Sequence, residues 1–362
     1  MENTNKTILI TSASAYLPSH ILRIFLEAGY NVRVAVKTDL EARTVRDAHP
    51  GYDDSRVSFV HILDIIKEGA FDVAVKNVHG VIHTAFPAFP FNTVEFEKRI
   101  VIPAIDSIYH LLQSVHRHGP TVTRVIIMSS FAAMINVEKG LWPEHMYNES
   151  DWNPDTYQVA TGTRIMAQAQ FASRKLSEKT AWNYMRKEKP MFDLVSLCVP
   201  VAWGPLTIPT PSLSCNSDLG SGVRIIHNLM HGSFGQTSGP DNFYPFVDVR
   251  DVAIAALKAY QVAHAADERF FLASGRATVQ MLCDILHVQF PELRHRLPMR
   301  QPEMGGLETV YDVDGSKAER ILGFRYRGLL EAVADTAICL LEMERKEAAE
   351  KAEGLAKLAA AF

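Results

Sequence analysis

The chain has 362 residues, of which 47% are hydrophobic and 22% are charged. This composition is typical of a globular protein with one large or two modest domains, and it excludes disorder, collagen and coiled coil as descriptions of the whole chain. The 37 basic and 41 acidic residues give a net charge of -4, and the basic residues form no stripe. Nucleic acid is therefore not an expected partner.

Four cysteines lie far apart in the sequence and form no CxxC pair, namely Cys198, Cys215, Cys283 and Cys339. Such spacing is typical of free thiols in a reducing compartment and does not suggest a disulfide framework. The N-terminal residues lead directly into an apolar strand without a secretion signal, and no later segment reaches the length of a membrane span. We therefore expect a cytoplasmic protein that has no membrane partner.

Short apolar segments alternate with segments of helical length along the first 200 residues. Residues 7–11 predict a strand, and the periodic stretch after it predicts an amphipathic helix that stops at Gly29. Further buried strands are predicted at 31–36, 57–60, 80–84, 124–129 and 193–199. This alternation predicts an α/β fold with a doubly wound parallel sheet.

The rest of the chain predicts a smaller lobe and a tail. We assign residues 1–200 to the sheet domain, with a contribution from 246–275. Residues 201–245 and 276–339 are assigned to a substrate lobe, because irregular Pro-, Gly- and Ser-rich segments often cover a ligand crevice. Residues 340–362 are rich in Ala, Glu, Lys and Leu and predict a C-terminal helical tail.

Five segments carry a combined pattern: VIHTAFP (81–87), RVIIMSS (124–130), FASRKLSEKTAW (171–182), WGP (203–205) and FVDVRDVA (246–253). Together they resemble the extended short-chain dehydrogenase/reductases, in the branch of dihydroflavonol reductases and fungal ketone and aldehyde reductases. The resemblance spans roughly residues 7–340. It implies a Rossmann-type sheet with a smaller C-terminal substrate lobe, an NADPH site, and a Ser, Tyr and Lys set that reduces a carbonyl by hydride transfer.

The loop after the first strand departs from that family. The family places three small residues there, usually glycine, to allow positive φ and close approach of a pyrophosphate. Here residues 12–18 read SASAYLP, without glycine. A left-handed conformation costs other residues about 1–2 kcal/mol, the side chains of Ser12 and Ala15 intrude on the phosphate, and Pro18 has no N–H. We therefore expect a strained loop and a damaged phosphate site.

The catalytic motif departs as well. The resemblance aligns Gln170 with the family's tyrosine, Arg174 with its lysine, and Ser130 with the serine that polarises the carbonyl. A carboxamide has no acidic proton to donate, and the pKa of an arginine cannot be tuned as that of a lysine can. Ser130, Gln170 and Arg174 are therefore predicted to act as hydrogen-bond donors that stabilise a developing oxyanion.

Three residues are candidate remnants of a cofactor site. By the resemblance, Arg33 and Lys37 fall near the adenosine 2′-phosphate, and Asp64 falls on the adenine side. They are equally compatible with surface charges and a loop cap. We predict no required cofactor and leave residual NADP binding open.

Six residues lie in segments that, by the resemblance, flank the substrate crevice beyond the carboxyl ends of the strands. They are Phe86, Phe89, Tyr157, Trp203, His231 and Tyr244. Aromatic side chains at such a crevice favour an apolar, conjugated substrate. The alternative for the aromatic residues is ordinary core packing, and for His231 it is a solvent-facing position.

A metal site is considered at His227 and His231, which stand four residues apart and so share one helix face. The segment HNLMH lacks the glutamate of HExxH, and the sequence offers no evident third ligand. We therefore predict no metal.

Three functions follow from these departures. The first is a non-redox isomerisation, cyclisation or pericyclic step on a conjugated, aromatic or polyketide-type secondary metabolite, which we favour because cofactor loop and proton donor fail independently. The second is an NADPH-dependent ketone or aldehyde reductase with unusual active-site residues. The third is a non-catalytic ligand-binding or partner protein. The sequence leaves the oligomeric state open.

Overall fold

The computed structural model describes residues 5–88, 93–207, 220–233, 243–297 and 306–360. Its strands are β1 (Thr7–Ile10), β2 (Asn31–Val36), β3 (Val57–His61), β4 (Gly80–His83), β5 (Arg124–Ser130), β6 (Met146–Tyr147), β7 (Asp193–Val199), β8 (Val201–Trp203), β9 (Phe243–Asp248), β10 (Arg269–Phe271), β11 (Gly275–Thr278) and β12 (Asp312–Val313). Its helices are α1 (Tyr16–Glu27), α2 (Asp39–Asp47), α3 (Ile102–His118), α4 (Tyr157–Gly162), α5 (Met166–Glu188), α6 (Ser221–Met230), α7 (Val249–Gln261), α8 (Val279–Gln289), α9 (Ser316–Leu322) and α10 (Leu329–Ala360).

The main sheet has seven strands in the order β10-β7-β5-β4-β1-β2-β3, and every pairing is parallel. Ile8 of β1 pairs with Val32 on one side and with Gly80 on the other. The strand order therefore reverses between β1 and β4, which is where open α/β sheets form a crevice. The predicted doubly wound α/β fold is confirmed.

Both faces of this sheet are covered, as its apolar strands require. Side chains alternate along a strand, so Ile8 and Ile10 pack with α1 and α7, whereas Leu9 packs with α3 and α5 on the opposite face. Phe25 of α1 and Leu111 of α3 are fully buried in these two layers. The layers hold the carboxyl ends of the strands at one edge.

A small three-stranded sheet with its own helices packs over the carboxyl ends of these strands. β9 pairs in parallel with β8 and antiparallel with β11, and α6, α8 and α10 pack on this small sheet. Helix α10 is continuous, and the buried Leu340 lies inside it. Residue 340, where the sequence places the start of the tail, is therefore not the start of an element.

Within the described ranges, no helix combines the length and apolar character needed to span a membrane. Cys198, Cys283 and Cys339 are free thiols, and Cys215 lies outside the described residues.

Two buried histidines make stability depend on pH. His83 Nδ1 lies 3.0 Å from Thr11 Oγ1, and His20 Nε2 lies 2.8 Å from the carbonyl of Pro205. Burial lowers the pKa of each to about 4. Since the unfolded chain takes up protons near pH 6.5 and the folded chain does not, stability falls as the pH drops from 6.5 towards 4.

Between pH 7.5 and 5.0, we expect each of these histidines to remove about 2 kcal/mol of unfolding free energy. Urea unfolding of a His20→Gln/His83→Gln variant should show a much smaller pH-dependent loss than the wild type. The exposed His264 supplies the control, and His264→Gln should keep the wild-type loss. An unchanged pH dependence in the double variant would contradict the assignment.

Candidate active site

Hydroxyl groups join the two loops that follow β1 and β4. Thr11 Oγ1 accepts the N–H groups of Thr84 and Ala85, each at 3.0 Å. The N–H of Ser12 donates to Thr84 Oγ1 at 3.1 Å, and that hydroxyl donates to the carbonyl of Ser12 at 2.7 Å. The loop between β1 and α1 is therefore fixed at the point where the strand order reverses.

The predicted strain in this loop is absent. In the described part of the chain, the non-glycine residues with positive φ are Asn5, Asn77, Trp142, Lys189 and Asp267. None of them belongs to the fully described segment 12–18, and Ala15 has an extended φ of -104° and ψ of 165°. The prediction that the missing glycines strain this loop is therefore wrong, because no residue of the turn adopts a left-handed conformation.

The start of α1 is uncapped. Its N-cap residue, Ala15, is exposed and offers no side-chain hydrogen bond to the helix. The first backbone hydrogen bond of this helix runs from Ser19 N to the carbonyl of Ala15 at 3.0 Å. The N–H groups of Tyr16 and Leu17 come earlier in the chain, so no carbonyl of the helix accepts them. Pro18 removes one donor, as predicted, but two remain. A helix N-terminus of this kind attracts anions.

A groove of about 330 Å³ runs along this helix start, and we call it the α1 groove. It is lined by Ala15, Tyr16, Leu17, Pro18, Thr84, Val199, Pro200, Ala202, Gly220, Ser221 and Gly222. Ala15 and Pro18 thus border the space and do not close it.

A second cavity of about 270 Å³ lies beyond the end of β5, and we call it the Ser130 cavity. It is lined by Ser130, Phe131, Ala132, Ile135, Phe171, Val199, Pro200, Val201, Ser221, Arg224, Ile225, Asn228, Phe243, Tyr244, Pro245 and Tyr311. Val199, Pro200 and Ser221 line both spaces. The α1 groove and the Ser130 cavity are therefore neighbours.

The three predicted catalytic residues do not share one cavity. Ser130 lines the Ser130 cavity, and its hydroxyl accepts the N–H of Ala132 at 3.2 Å. Gln170 is half-buried on α5, next to the lining residue Phe171, and its carboxamide makes no hydrogen bond within the described ranges. Arg174 lines a separate space of about 20 Å³.

Arg174 is stacked on an aromatic ring. Its guanidinium carbon lies 3.5 Å from the centroid of Phe86, and both residues line the small space beside Ser129 and Glu178. Burial lowers the pKa of Arg174 to about 10, so the group stays positive at neutral pH. Lys175 turns away, as its position on the helix predicts, and donates to the carbonyl of Asp155 at 2.5 Å.

A buried ion pair that the sequence did not reveal holds α5 against the sheet. Glu178 Oε1 accepts from Arg269 Nε at 2.7 Å, and Glu178 also accepts from Ser129 at 2.6 Å and Ser196 at 2.7 Å. Burial alone would raise the pKa of Glu178, but the Arg269 charge and these hydrogen bonds outweigh it and lower the pKa. The partners are 91 positions apart in the sequence, so no local pattern reveals the pair.

The predicted pocket residues separate into several places. Tyr244 lines the Ser130 cavity, and Phe86 lies against Arg174. Trp203 is fully buried and donates to the carbonyl of Gly222 at 3.0 Å, so it is a core residue. Tyr157 donates to Glu97 at 2.7 Å, outside both described cavities. Phe89 lies outside the described residues.

Several residues that line the Ser130 cavity were not predicted from the sequence. Phe131 could have been predicted, because it directly follows Ser130 at the end of β5. Phe171 likewise follows Gln170. No sequence pattern indicates the other lining residues Arg224, Asn228 and Tyr311, since they reach the cavity only through the packing of the second lobe.

The predicted cofactor remnants also differ in position. Arg33 lies within β2 and donates to the carbonyls of Ala74 at 2.9 Å and Lys76 at 2.6 Å, so its guanidinium is directed away from the carboxyl edge. Lys37 directly follows the carboxyl end of β2 and is exposed. Asp64 is exposed beyond β3 and accepts the N–H of Ile66 at 3.1 Å.

His231, predicted to line the substrate pocket, is not among the described residues that line the Ser130 cavity. It lies beside His227 and Glu344, and one potential ligand atom from each of the three residues lies within 4.8 Å of the others. Glu344 is therefore a candidate third ligand that the sequence did not reveal. The reason is that α10 packs on α6 and brings in a residue more than one hundred positions away.

Known proteins resemble this chain along almost its whole length. No family model matches it. A ketoreductase of Aspergillus niger is 30% identical over 348 residues, which cover 94% of this chain and 99% of the relative. The chain belongs to the extended short-chain dehydrogenase/reductase family. The NADPH-dependent methylglyoxal reductase of Saccharomyces cerevisiae is 28% identical over 347 residues, covering 93% of this chain and 99% of the relative.

The structural comparison agrees with membership of the extended short-chain dehydrogenase/reductase family. The crystal structure of yeast methylglyoxal/isovaleraldehyde reductase complexed with NADPH has a TM-score of 0.83 at 28% identity, with coverage of 93% of this chain and 99% of that chain. The Aspergillus relative is named a ketoreductase, the Saccharomyces relative is named an NADPH-dependent reductase, and the solved neighbour is a reductase complexed with NADPH. They overturn two predictions, the non-redox isomerisation or cyclisation and the absence of a cofactor, and point to redox catalysis with a nicotinamide cofactor.

Proposed function

We propose that the protein is an NADPH-dependent reductase of compact, apolar ketones or aldehydes. The observation that carries this proposal is the adjacency of the α1 groove and the Ser130 cavity, which share Val199, Pro200 and Ser221. A reductase needs a dinucleotide beside its carbonyl substrate. The α1 groove at the reversal of strand order and the neighbouring Ser130 cavity beyond β5 meet that need.

The residues at the α1 groove are compatible with a dinucleotide. The loop is unstrained, the helix start is uncapped, and the N–H groups of Tyr16 and Leu17 are available to phosphate oxygens. Lys37, at the end of β2, supplies a positive charge for a 2′-phosphate. When bound, NADPH supplies the hydride that converts the carbonyl to an alcohol.

Ser130 is the residue that we assign to the carbonyl oxygen, because it ends β5 and lines the Ser130 cavity. Its hydroxyl stabilises the negative charge that develops on that oxygen. The reaction consumes one proton as ketone and NADPH become alcohol and NADP⁺. Gln170 cannot donate that proton, so it comes from water or from a hydroxyl that lines the cavity.

Tyr244 and Tyr311 supply the two phenol groups among the described lining residues. Burial raises the pKa of Tyr311, so this phenol keeps its proton at neutral pH. Without an acid at position 170 and its lysine partner, we expect slow turnover. The aromatic lining favours an apolar substrate, and a cytoplasmic location remains a prediction from the sequence.

The proposal is tested with purified protein and NADPH. We expect NADPH fluorescence to report saturable binding, and NADPH oxidation to depend on added aryl ketones or aldehydes with equal molar formation of alcohol. Absence of binding at millimolar NADPH, or an unchanged cofactor concentration across the carbonyl panel, would refute the proposal.

Removal of the Ser130 hydroxyl tests its assignment. We expect Ser130→Ala to lower kcat/KM by about tenfold, the equivalent of one hydrogen bond to a partly charged oxygen. The Kd for NADPH and the Tm should stay near the wild-type values. Ser150→Ala, at an exposed position, is the matched control and should leave kcat/KM unchanged. Equal losses in both variants would contradict a specific role.

A further inference from the structure

We propose that His227, His231 and Glu344 bind one divalent transition-metal ion of the zinc class, which joins α6 to α10. One potential ligand atom from each residue lies within 4.8 Å of the others. Two imidazoles and one carboxylate form a donor set that suits zinc. This inference does not rest on the proposed reductase activity.

The geometry needs only small side-chain movements to close around an ion. The two imidazole centroids are 4.4 Å apart with their planes inclined by 33°, and His231 Nε2 lies 3.4 Å from Glu344 Oε1. Ligand atoms that surround zinc tetrahedrally at about 2.0–2.2 Å are separated by roughly 3.3–3.6 Å. The histidine and carboxylate atoms thus already lie at a suitable separation.

A buried carboxylate oxygen supports the presence of a ligand. Glu344 Oε1 is shielded from solvent and has no hydrogen-bond partner among the described residues. Such burial is unfavourable unless another group satisfies this atom. A cation coordinated by the cluster would satisfy Oε1 directly. Arg296 Nη1 lies 3.8 Å from the other carboxylate oxygen, which leaves Oε1 on the histidine side.

The tautomer of His231 also suits a metal ligand. Its Nδ1 lies 2.8 Å from the backbone carbonyl of His227, and a carbonyl can only accept, so Nδ1 carries the hydrogen. In the neutral imidazole the lone pair therefore resides on Nε2, the atom that faces Glu344. Orientation of a ligating histidine by a hydrogen bond from its other nitrogen is common at metal sites.

The ion would fix one wall of the Ser130 cavity. α6 contributes Ser221, Arg224 and Asn228 to that cavity, whereas His227 and His231 lie beside α10. A bond between α6 and α10 would restrict movement of this wall. The three protein ligands leave a fourth coordination position for water.

The test uses full-length protein without a polyhistidine tag, freed of metal by a chelator. Zn²⁺ is titrated in competition with a chromophoric chelator, and Co²⁺ serves as a spectroscopic probe of tetrahedral coordination. We expect one ion per chain, a Tm raised by about 4 °C at a hundredfold excess over Kd, and no comparable binding of Mg²⁺.

Glu344→Gln and His231→Gln should each weaken Zn²⁺ binding at least tenfold, and circular dichroism should show both variants folded. Glu350→Gln, on the same helix, and His264→Gln are matched controls at exposed positions and should bind as the wild type does. Failure of the wild type to bind Zn²⁺, or equal affinity in both ligand variants and controls, would overturn the proposal.

Discussion

Replacing Gln170 with tyrosine is expected to raise kcat for NADPH-dependent carbonyl reduction by roughly 100-fold, the lower end of the usual contribution of general acid catalysis. The family resemblance aligns position 170 with the catalytic tyrosine, and Arg174 lies one helical turn further along α5. A phenol at position 170 would supply the missing proton donor. The guanidinium, still positive with a pKa of about 10, would favour the phenolate that forms.

Gln170→Phe is the matched control, because it adds the ring without the hydroxyl. This variant should show no gain in kcat, and both variants should bind NADPH with similar Kd. The anchoring of α5 by the Glu178–Arg269 pair makes a large change of helix position unexpected. An equal gain from phenylalanine, or no gain from tyrosine, would contradict the alignment of position 170 with the family's catalytic tyrosine.

Replacing Ala15 with aspartate is expected to raise the Kd for NADPH by about 100-fold while leaving the Tm unchanged or slightly higher. Ala15 is the exposed N-cap of α1 and lines the α1 groove. A carboxylate there repels the cofactor phosphates by several kcal/mol at about 4 Å. The same carboxylate caps the helix, which contributes about 1 kcal/mol of stability.

Ala15→Asn separates charge from size, since asparagine caps the helix but carries no charge. The Kd for NADPH in this variant should stay within a few-fold of the wild type, as measured by fluorescence titration. Equal weakening by asparagine and aspartate would show that the side chain blocks the groove sterically. No weakening by aspartate would place the phosphates elsewhere.

The parallel sheet could be predicted from the sequence because its strands are buried on both faces and appear as short apolar runs. β4 and most of β5 are examples, with fully buried central residues such as Val81 and Ile126. The Rossmann-type sheet and the smaller C-terminal lobe were implied by the family resemblance. The packing of the second lobe could not be predicted. For this reason Trp203, which we expect at the substrate crevice from the resemblance, is instead a fully buried core residue.

The loss of the cofactor was predicted from residue types alone and is wrong for a conformational reason. Absence of glycine excludes a loop only where the backbone needs positive φ, and the segment 12–18 has no such residue. Hydroxyl contacts between Thr11 and Thr84 hold the loop instead. The pattern of one loop could not reveal a partner that lies some seventy residues away in the chain.

Contacts between residues far apart in the sequence could not be predicted either, because they depend on which elements pack together. Glu344 reaches the histidine pair only through the packing of α10 on α6, and Arg269 reaches Glu178 only through the pairing of β10 with β7. Neither helix periodicity nor motif spacing encodes these approaches. Both contacts require knowledge of which elements are neighbours.

Hydride transfer from NADPH to a carbonyl carbon in this site can be followed with NADPH deuterated at the transferable C4 position. The protein is incubated with each C4 stereoisomer and an aryl ketone, and the alcohol is analysed by mass spectrometry. We expect one deuterium on the carbinol carbon of the alcohol formed with one of the two stereoisomers and none with the other. Alcohol without deuterium from both stereoisomers, or no alcohol despite bound cofactor, would contradict this hydride transfer.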